Sequence, residues 1–98
     1  MTARLDWTFL SNHAHVLVCL DRDPQARLRD IAVSVGVTER TANTIVGDLV
    51  EAGVLTVTKV GRRNQYRIDR TARLRHPLED ANTVGDLLDG VSRTHNRS

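Results

Sequence analysis

The sequence predicts a mainly α-helical fold with a small β-hairpin: a three-helix core, a two-stranded hairpin and a C-terminal helix. Apolar residues recur at helical spacing in three segments before residue 52. Two short segments that favour β-structure follow, one on each side of a turn that contains glycine. A chain of 98 residues is expected to form one core.

The first helix is predicted to begin after a polar residue near position 11. Ser11 or Asn12 can cap its N-terminus, and the apolar pattern continues to about Leu20. Pro24 follows soon after, and proline cannot continue the helical hydrogen-bond pattern.

A tight turn is predicted between the second and third helices. The second helix should cover residues 29–35, and Gly36 suits the left-handed conformation that often ends a helix. Thr38 is a good N-cap for the third helix, which should extend over residues 38–52. Helices joined by so short a turn should cross steeply. The third helix is predicted to bury Ala42, Ile45, Val46 and Leu49.

The hairpin is predicted from two short segments around a turn. Residues 55–59 are rich in β-branched side chains, and residues 65–69 alternate polar and apolar side chains. Residues 60–64 should connect them, with Gly61 and Asn64 able to adopt a positive φ.

Two helix starts are possible near the C-terminus. Pro77 can occupy the first turn of a helix, whereas Thr83 with Asp86 forms a capping pair before an apolar segment. One helix, or a turn followed by a helix, would fit this segment. The chain is thus divided into a main domain, a C-terminal helical segment and a disordered tail: residues 1–75, 76–91 and 92–98.

Composition excludes several protein classes. No apolar run approaches the roughly 18 residues that span a bilayer, and the N-terminus does not resemble a secretory signal. One cysteine, Cys19, allows no internal disulfide and no cysteine-rich metal site. A cytoplasmic protein is the simplest interpretation.

The net charge of +2 is unevenly distributed. Residues 59–75 contain seven basic residues and only Asp69 as an acid, whereas residues 76–91 contain four acids and no Lys or Arg. The basic block predicts an anionic partner at one surface. Nearly all the basic residues are arginines. Bidentate binding of phosphate or guanine by guanidinium groups would explain this excess, and so would a composition bias of the genome.

Polar side chains should cover the outer face of the third helix. The residue types on this face are those that bind base edges in a DNA major groove. A helix face that is merely exposed to solvent would have a similar composition. Gly47 would allow close approach to a surface. Asp48 is expected to point away from phosphates or to accept a hydrogen bond from cytosine. The base-reading candidates are Arg40, Thr41, Asn43 and Thr44.

Basic residues surround this polar face in the sequence. Arginines at the hairpin tip can reach a phosphate backbone or a narrow minor groove, and arginines near the start of the second helix can add phosphate contacts. The backbone candidates are Arg27, Arg29, Thr38, Lys59, Arg62, Arg63 and Arg67.

Residues 28–68 resemble the winged helix–turn–helix domains of bacterial and archaeal transcriptional regulators, of the MarR-like and ArsR-like kind. The resemblance implies sequence-specific binding of double-stranded DNA. It places the third helix, the recognition helix, in the major groove and the hairpin, the wing, on the backbone or in the minor groove. The matching positions are Ala32, Gly36, Ile45, Glu51-Ala52-Gly53 and Gly61-Arg62.

The chain departs from both subfamilies. ArsR-like metal sensors carry a cysteine pair in the second helix, whereas Cys19 lies in the first. MarR-like proteins have longer terminal helices that form a ligand pocket, for which this chain has little room. Arg29 stands where a Ser or Thr cap is common. We therefore expect no metal, cofactor or small-molecule ligand.

No arrangement of catalytic residues is visible, so an enzyme is not expected. His13 and His15 are two residues apart on a helix and point to different faces, so they do not form a metal site with each other. Two other functional classes fit the pattern: a winged helix used for protein–protein contacts, and a non-specific architectural DNA-binding protein.

Apolar residues near both termini predict a homodimer. A twofold dimer would place two recognition helices about one DNA turn apart. The alternative is that both segments simply cover the core of one chain. The dimer candidates are Leu5, Trp7, Phe9, Leu87, Leu88 and Val91.

Overall fold

Within residues 6–92, three helices precede an antiparallel hairpin and a further helix follows it, which confirms the predicted fold class. The protein is represented by a computed structural model that describes residues 6–92. Its elements are α1 (Asn12–Arg22), α2 (Leu28–Val35), α3 (Glu39–Glu51), β1 (Leu55–Val60), β2 (Arg63–Ile68) and α4 (Val84–Ser92).

Side-chain caps determine where α1 and α3 begin. The hydroxyl of Ser11 accepts the N–H of Ala14 at 3.2 Å, so Ser11 is the cap of α1. Thr38 caps α3 by accepting the N–H of Thr41 at 3.0 Å. The N-cap of α2 is Arg27, which makes no side-chain cap bond. The start of α2 therefore depends on the packing of its apolar face.

The turn between α2 and α3 is closed by two backbone hydrogen bonds. The N–H groups of Gly36 and Val37 donate to the carbonyl of Ala32 at 2.8 and 3.0 Å. Gly36 has a φ of 90°, the left-handed conformation that was predicted for it. Val37 is half-buried and packs on the core, which fixes the direction in which α3 leaves the turn.

The hairpin is tighter than the sequence predicted. Val60 pairs with Arg63, so only Gly61 and Arg62 form the turn. Gly61 has a φ of 64° at the first central position, as a type II′ turn requires. The expectation of a five-residue turn was wrong, and Asn64 does not adopt the positive φ that its residue type tolerates. Asn64 is instead paired with Lys59 in the ladder.

The core extends from the first three helices to α4. Val84 and Leu88 of α4 belong to the same buried cluster as Leu20 and Ile31. Leu88 is 0% exposed. Leu88, expected at a dimer interface, is therefore enclosed within a single chain. The C-terminal helical segment completes the core.

A turn followed by a helix describes the C-terminal segment. The residues after Pro77 form turns, and no helix begins there. The Thr83 hydroxyl accepts the N–H of Asp86 at 3.1 Å, and the Asp86 carboxylate accepts the N–H of Thr83 at 3.0 Å. This reciprocal pair starts α4. Ser92 ends α4, and the rest of the predicted tail lies outside the described residues. Within residues 6–92, no helix is both long and apolar enough to cross a membrane.

Arg70 links α4 to α1 through hydrogen bonds of its side chain. Its guanidinium donates to Asp21 of α1 at 3.0 Å and to the carboxylate of Asp89 in α4. Its backbone carbonyl accepts the N–H of Gly85 at 2.9 Å. The chain just after β2 therefore approaches the backbone of α4 closely.

Alanine substitutions at the two glycines of α4 should change the stability of the protein in opposite directions. A Cβ at Gly85 would lie 3.0 Å from the carbonyl oxygen of Arg70, whereas one at Gly90 would meet nothing within 4 Å. We expect Gly85→Ala to destabilise the protein by about 1–3 kcal/mol. Gly90→Ala should stabilise it by about 0.5–1 kcal/mol through helix propensity. Urea unfolding of both variants checks this, and equal midpoints would contradict the close approach.

Candidate nucleic-acid interface

The outer face of α3 presents polar side chains because its other face is buried. Ala42, Ile45, Val46 and Leu49 lie in the core, as predicted. The four base-reading candidates, Arg40, Thr41, Asn43 and Thr44, are all exposed.

Internal hydrogen bonds distinguish these four side chains. The hydroxyl of Thr41 accepts from the hydroxyl of Thr38 at 3.0 Å, and that of Thr44 donates to the carbonyl of Arg40 at 3.2 Å. Within residues 6–92, the side chains of Arg40 and Asn43 make no hydrogen bond or ion pair. Arg40 and Asn43 therefore keep all their donors available to a ligand.

A basic groove separates α3 from the wing. Its volume is about 290 Å³, and neither Asp nor Glu lines it. Asn43 contributes from α3, and Asn64 contributes from β2. The groove brings together four of the predicted backbone-binding residues: Arg27, Lys59, Arg62 and Arg63. Their combined charge would attract a phosphate chain that passes beside α3.

Three predicted backbone-binding residues lie elsewhere. Arg67 pairs with Thr56, whereas Lys59 pairs with Asn64. Because side chains alternate along a strand, Arg67 and Lys59 lie on opposite faces of the hairpin. Arg67 lines a separate groove of about 520 Å³. Neither Arg29 nor Thr38 lines the basic groove, and the hydroxyl of Thr38 is occupied by its capping bond.

Sequence reasoning missed a side-chain hydrogen bond between α1 and α3. His13 Nε2 lies 2.9 Å from the carboxylate of Asp48. The pair lines a second groove beside α3, of about 540 Å³, together with Arg40 and Thr44. The two residues are 35 positions apart, so no local pattern could connect them. The carboxylate of Asp48 therefore already has a hydrogen-bond partner within the protein.

The N-terminal aromatic residues form an exposed apolar patch. Trp7 is 69% and Phe9 is 92% exposed, and their rings meet edge to face with centroids 5.0 Å apart. Leu87 is half-buried and lines a groove with Phe9, and Val91 packs on the core. Leu5, also expected at a dimer interface, lies outside the described residues.

Cys19 is half-buried in α1. Burial raises the pKa of its thiol, which keeps the sulfur protonated and unreactive near neutral pH. Within residues 6–92, no three His, Cys, Asp or Glu side chains are grouped so that they could hold a metal ion.

Residues 12–56 match a family model described as winged helix-turn-helix DNA-binding. The match extends from the start of α1 to the first residues of β1, so it contains the α2–turn–α3 unit and its packing partner. The matched segment ends at residue 56 and so excludes most of the hairpin. The hairpin is established by the pairing of β1 with β2. A search of curated proteins gave no match to the chain.

Proposed function

Because residues 12–56 match a family model described as winged helix-turn-helix DNA-binding, we propose that the chain is a sequence-specific transcriptional regulator. In this proposal α3 enters the major groove of double-stranded DNA, and the wing lies on the backbone or in the adjacent minor groove. The observation that carries it is the acid-free groove in which Asn43 of α3 faces four basic side chains. The proposed role is binding without catalysis, and it needs no cofactor.

Arg40 and Asn43 supply the base contacts in this proposal. Their free donors suit a bidentate contact, Arg40 with guanine and Asn43 with adenine. Thr41 and Thr44 have internally bonded hydroxyls, and we assign them methyl contacts with thymine.

Phosphate contacts are assigned to the basic groove. Arg27 lies at the N-cap of α2, where the helix dipole also favours an anion. Lys59 and Arg62 approach from the wing. Arg29 and Arg67, which lie outside the groove, would strengthen the positive field without touching the same phosphates.

Gly47 allows α3 to approach DNA closely. It is exposed, and a Cβ there would meet nothing within 4 Å of the protein. We expect Gly47→Ala to stabilise the fold by about 0.5–1 kcal/mol. The added methyl should weaken DNA binding by about 1–3 kcal/mol, because it occupies close-packed space.

Gly90→Ala is the matched control, since it adds the same methyl to α4, outside the proposed interface. It should raise stability and leave DNA affinity unchanged. Fluorescence anisotropy and urea unfolding measure the two quantities. Unchanged DNA affinity in Gly47→Ala would contradict the proposed docking of α3.

We also propose that the protein acts as a homodimer in the cytoplasm. The aromatic patch of Trp7 and Phe9 would form the centre of the interface, with Leu87 and Val91 at its edge. Exposed aromatic side chains are favourable interface anchors. A twofold axis would pair two copies of α3 with two half-sites.

The same patch favours one alternative, a winged helix that binds another protein. Leu78 is 90% exposed and adds to the apolar surface that such a partner would cover. That alternative predicts little affinity for DNA. A non-specific architectural protein would bind every duplex equally.

The decisive experiment is a selection from random duplexes followed by anisotropy at two salt concentrations. Tight, salt-dependent binding to the selected duplex and much weaker binding to its scrambled version would support the proposed regulator. Equal binding to both would support an architectural role. If no duplex binds at low salt, the proposal fails and protein partners become the target.

A further inference from the structure

The two adjacent arginines of the wing have different surroundings. Arg62 lies in the turn and makes no hydrogen bond or ion pair within residues 6–92. The guanidinium of Arg63 donates to the backbone carbonyl of Gln25, in the loop between α1 and α2. Sequence position alone does not distinguish these side chains, but the structure does.

A second bond joins the same strand to the same loop. The N–H of Tyr66 donates to the carbonyl of Pro24 at 2.8 Å. Tyr66 is buried, so this bond lies where the hairpin meets the core. The bond of Arg63 lies three residues nearer the tip of the wing. With two attachment points, the hairpin cannot pivot about its base without breaking one of them.

We propose that Arg63 is a positioning residue that latches the wing to the α1–α2 loop, leaving Arg62 as the phosphate ligand of the tip. The latch holds Arg62 and Lys59 beside Asn43, around one groove. The role of Arg62 rests on the proposed function, whereas the latch is a property of the free protein.

The latch lowers the conformational-entropy cost of binding DNA. A hairpin held at one point samples many orientations, and DNA must then select one of them. Ordering a mobile segment on binding costs affinity that a preorganised segment retains. Arg63 therefore contributes to DNA affinity through the orientation of the wing.

Hydrogen exchange of the free protein tests the latch. We expect Arg63→Ala to increase the exchange rate of the Tyr66 amide at least several-fold, because its attachment then opens more often. Arg62→Ala is the matched control and should leave that rate unchanged. Unchanged exchange in Arg63→Ala, or equal increases in both variants, would overturn the latch.

The salt dependence of DNA binding separates the two roles. Each phosphate contact contributes about 0.9 to the slope of log K against log salt. Arg62→Ala should lower the slope by about that amount. Arg63→Ala should lower affinity roughly 2- to 10-fold, the range for ordering one flexible group, with less than half the slope change of Arg62→Ala. Arg67→Ala removes an arginine from the same strand but outside the basic groove, so it is the control for loss of charge.

Equal slope changes in Arg62→Ala and Arg63→Ala would overturn the division of roles. An unchanged slope in Arg62→Ala would overturn its assignment as phosphate ligand. Failure of the wild-type protein to bind any duplex would sink the proposed function and the role of Arg62, and the exchange measurement would then decide the latch by itself.

Discussion

Replacing Arg40 and Asn43 together by alanine is expected to abolish the preference of the protein for its selected DNA site. Each good bidentate contact contributes about 1–3 kcal/mol of discrimination between bases. Both side chains are exposed on α3, and neither has an internal hydrogen bond within residues 6–92 that would limit its use. Affinity for unrelated duplexes should decrease much less, because the basic groove keeps all four of its cations.

Anisotropy with the selected and the scrambled duplex measures this loss. Arg22→Ala with Asn82→Ala is a matched control, because it removes the same residue types from positions that line neither groove beside α3. The control should retain the preference. If the Arg40 and Asn43 double variant also retains it, α3 is not the element that reads the sequence.

Leu88→Ala should have the largest effect on stability. The side chain is fully enclosed between α4 and the three-helix core, so its truncation leaves a cavity. Leu→Ala changes at such sites cost about 2–5 kcal/mol. Small domains have only about 5–15 kcal/mol of total stability, so this change removes a large share.

Leu78→Ala supplies the control, because it makes the same change at an exposed side chain. It should alter the free energy of unfolding by less than about 0.5 kcal/mol. Urea unfolding compares the two variants. A midpoint for Leu88→Ala close to that of the wild type would mean that α4 does not complete the core.

Local signals allowed the helices to be predicted. The apolar spacing of α3, the glycine at position 36 and the threonine at position 38 each act within a few residues. Gly61 and Asn64 show the limit of such signals. Both residue types tolerate a positive φ, and only the pairing of Val60 with Arg63 decides which one lies in the turn.

Contacts between distant residues could not be predicted in this way. His13 and Asp48 meet because α1 packs against α3, and Arg63 reaches Gln25 across 38 positions. Leu87 and Leu88 are neighbours in sequence, yet one turns toward an open groove and the other into the core. The residue types of the candidate site could therefore be proposed from the sequence, but which of them line one groove could not.

The placement of the aromatic residues gives the chain two built-in optical reporters. Its one tryptophan, Trp7, lies on the exposed patch, and its one tyrosine, Tyr66, is buried at the base of the wing. Tryptophan emission shifts to shorter wavelength when water is excluded, so the spectrum of Trp7 will register coverage of the patch by a second molecule. Tyr66 is the aromatic residue whose surroundings would change if the hairpin detached from the core. Unlabelled protein can therefore report coverage of the patch through Trp7.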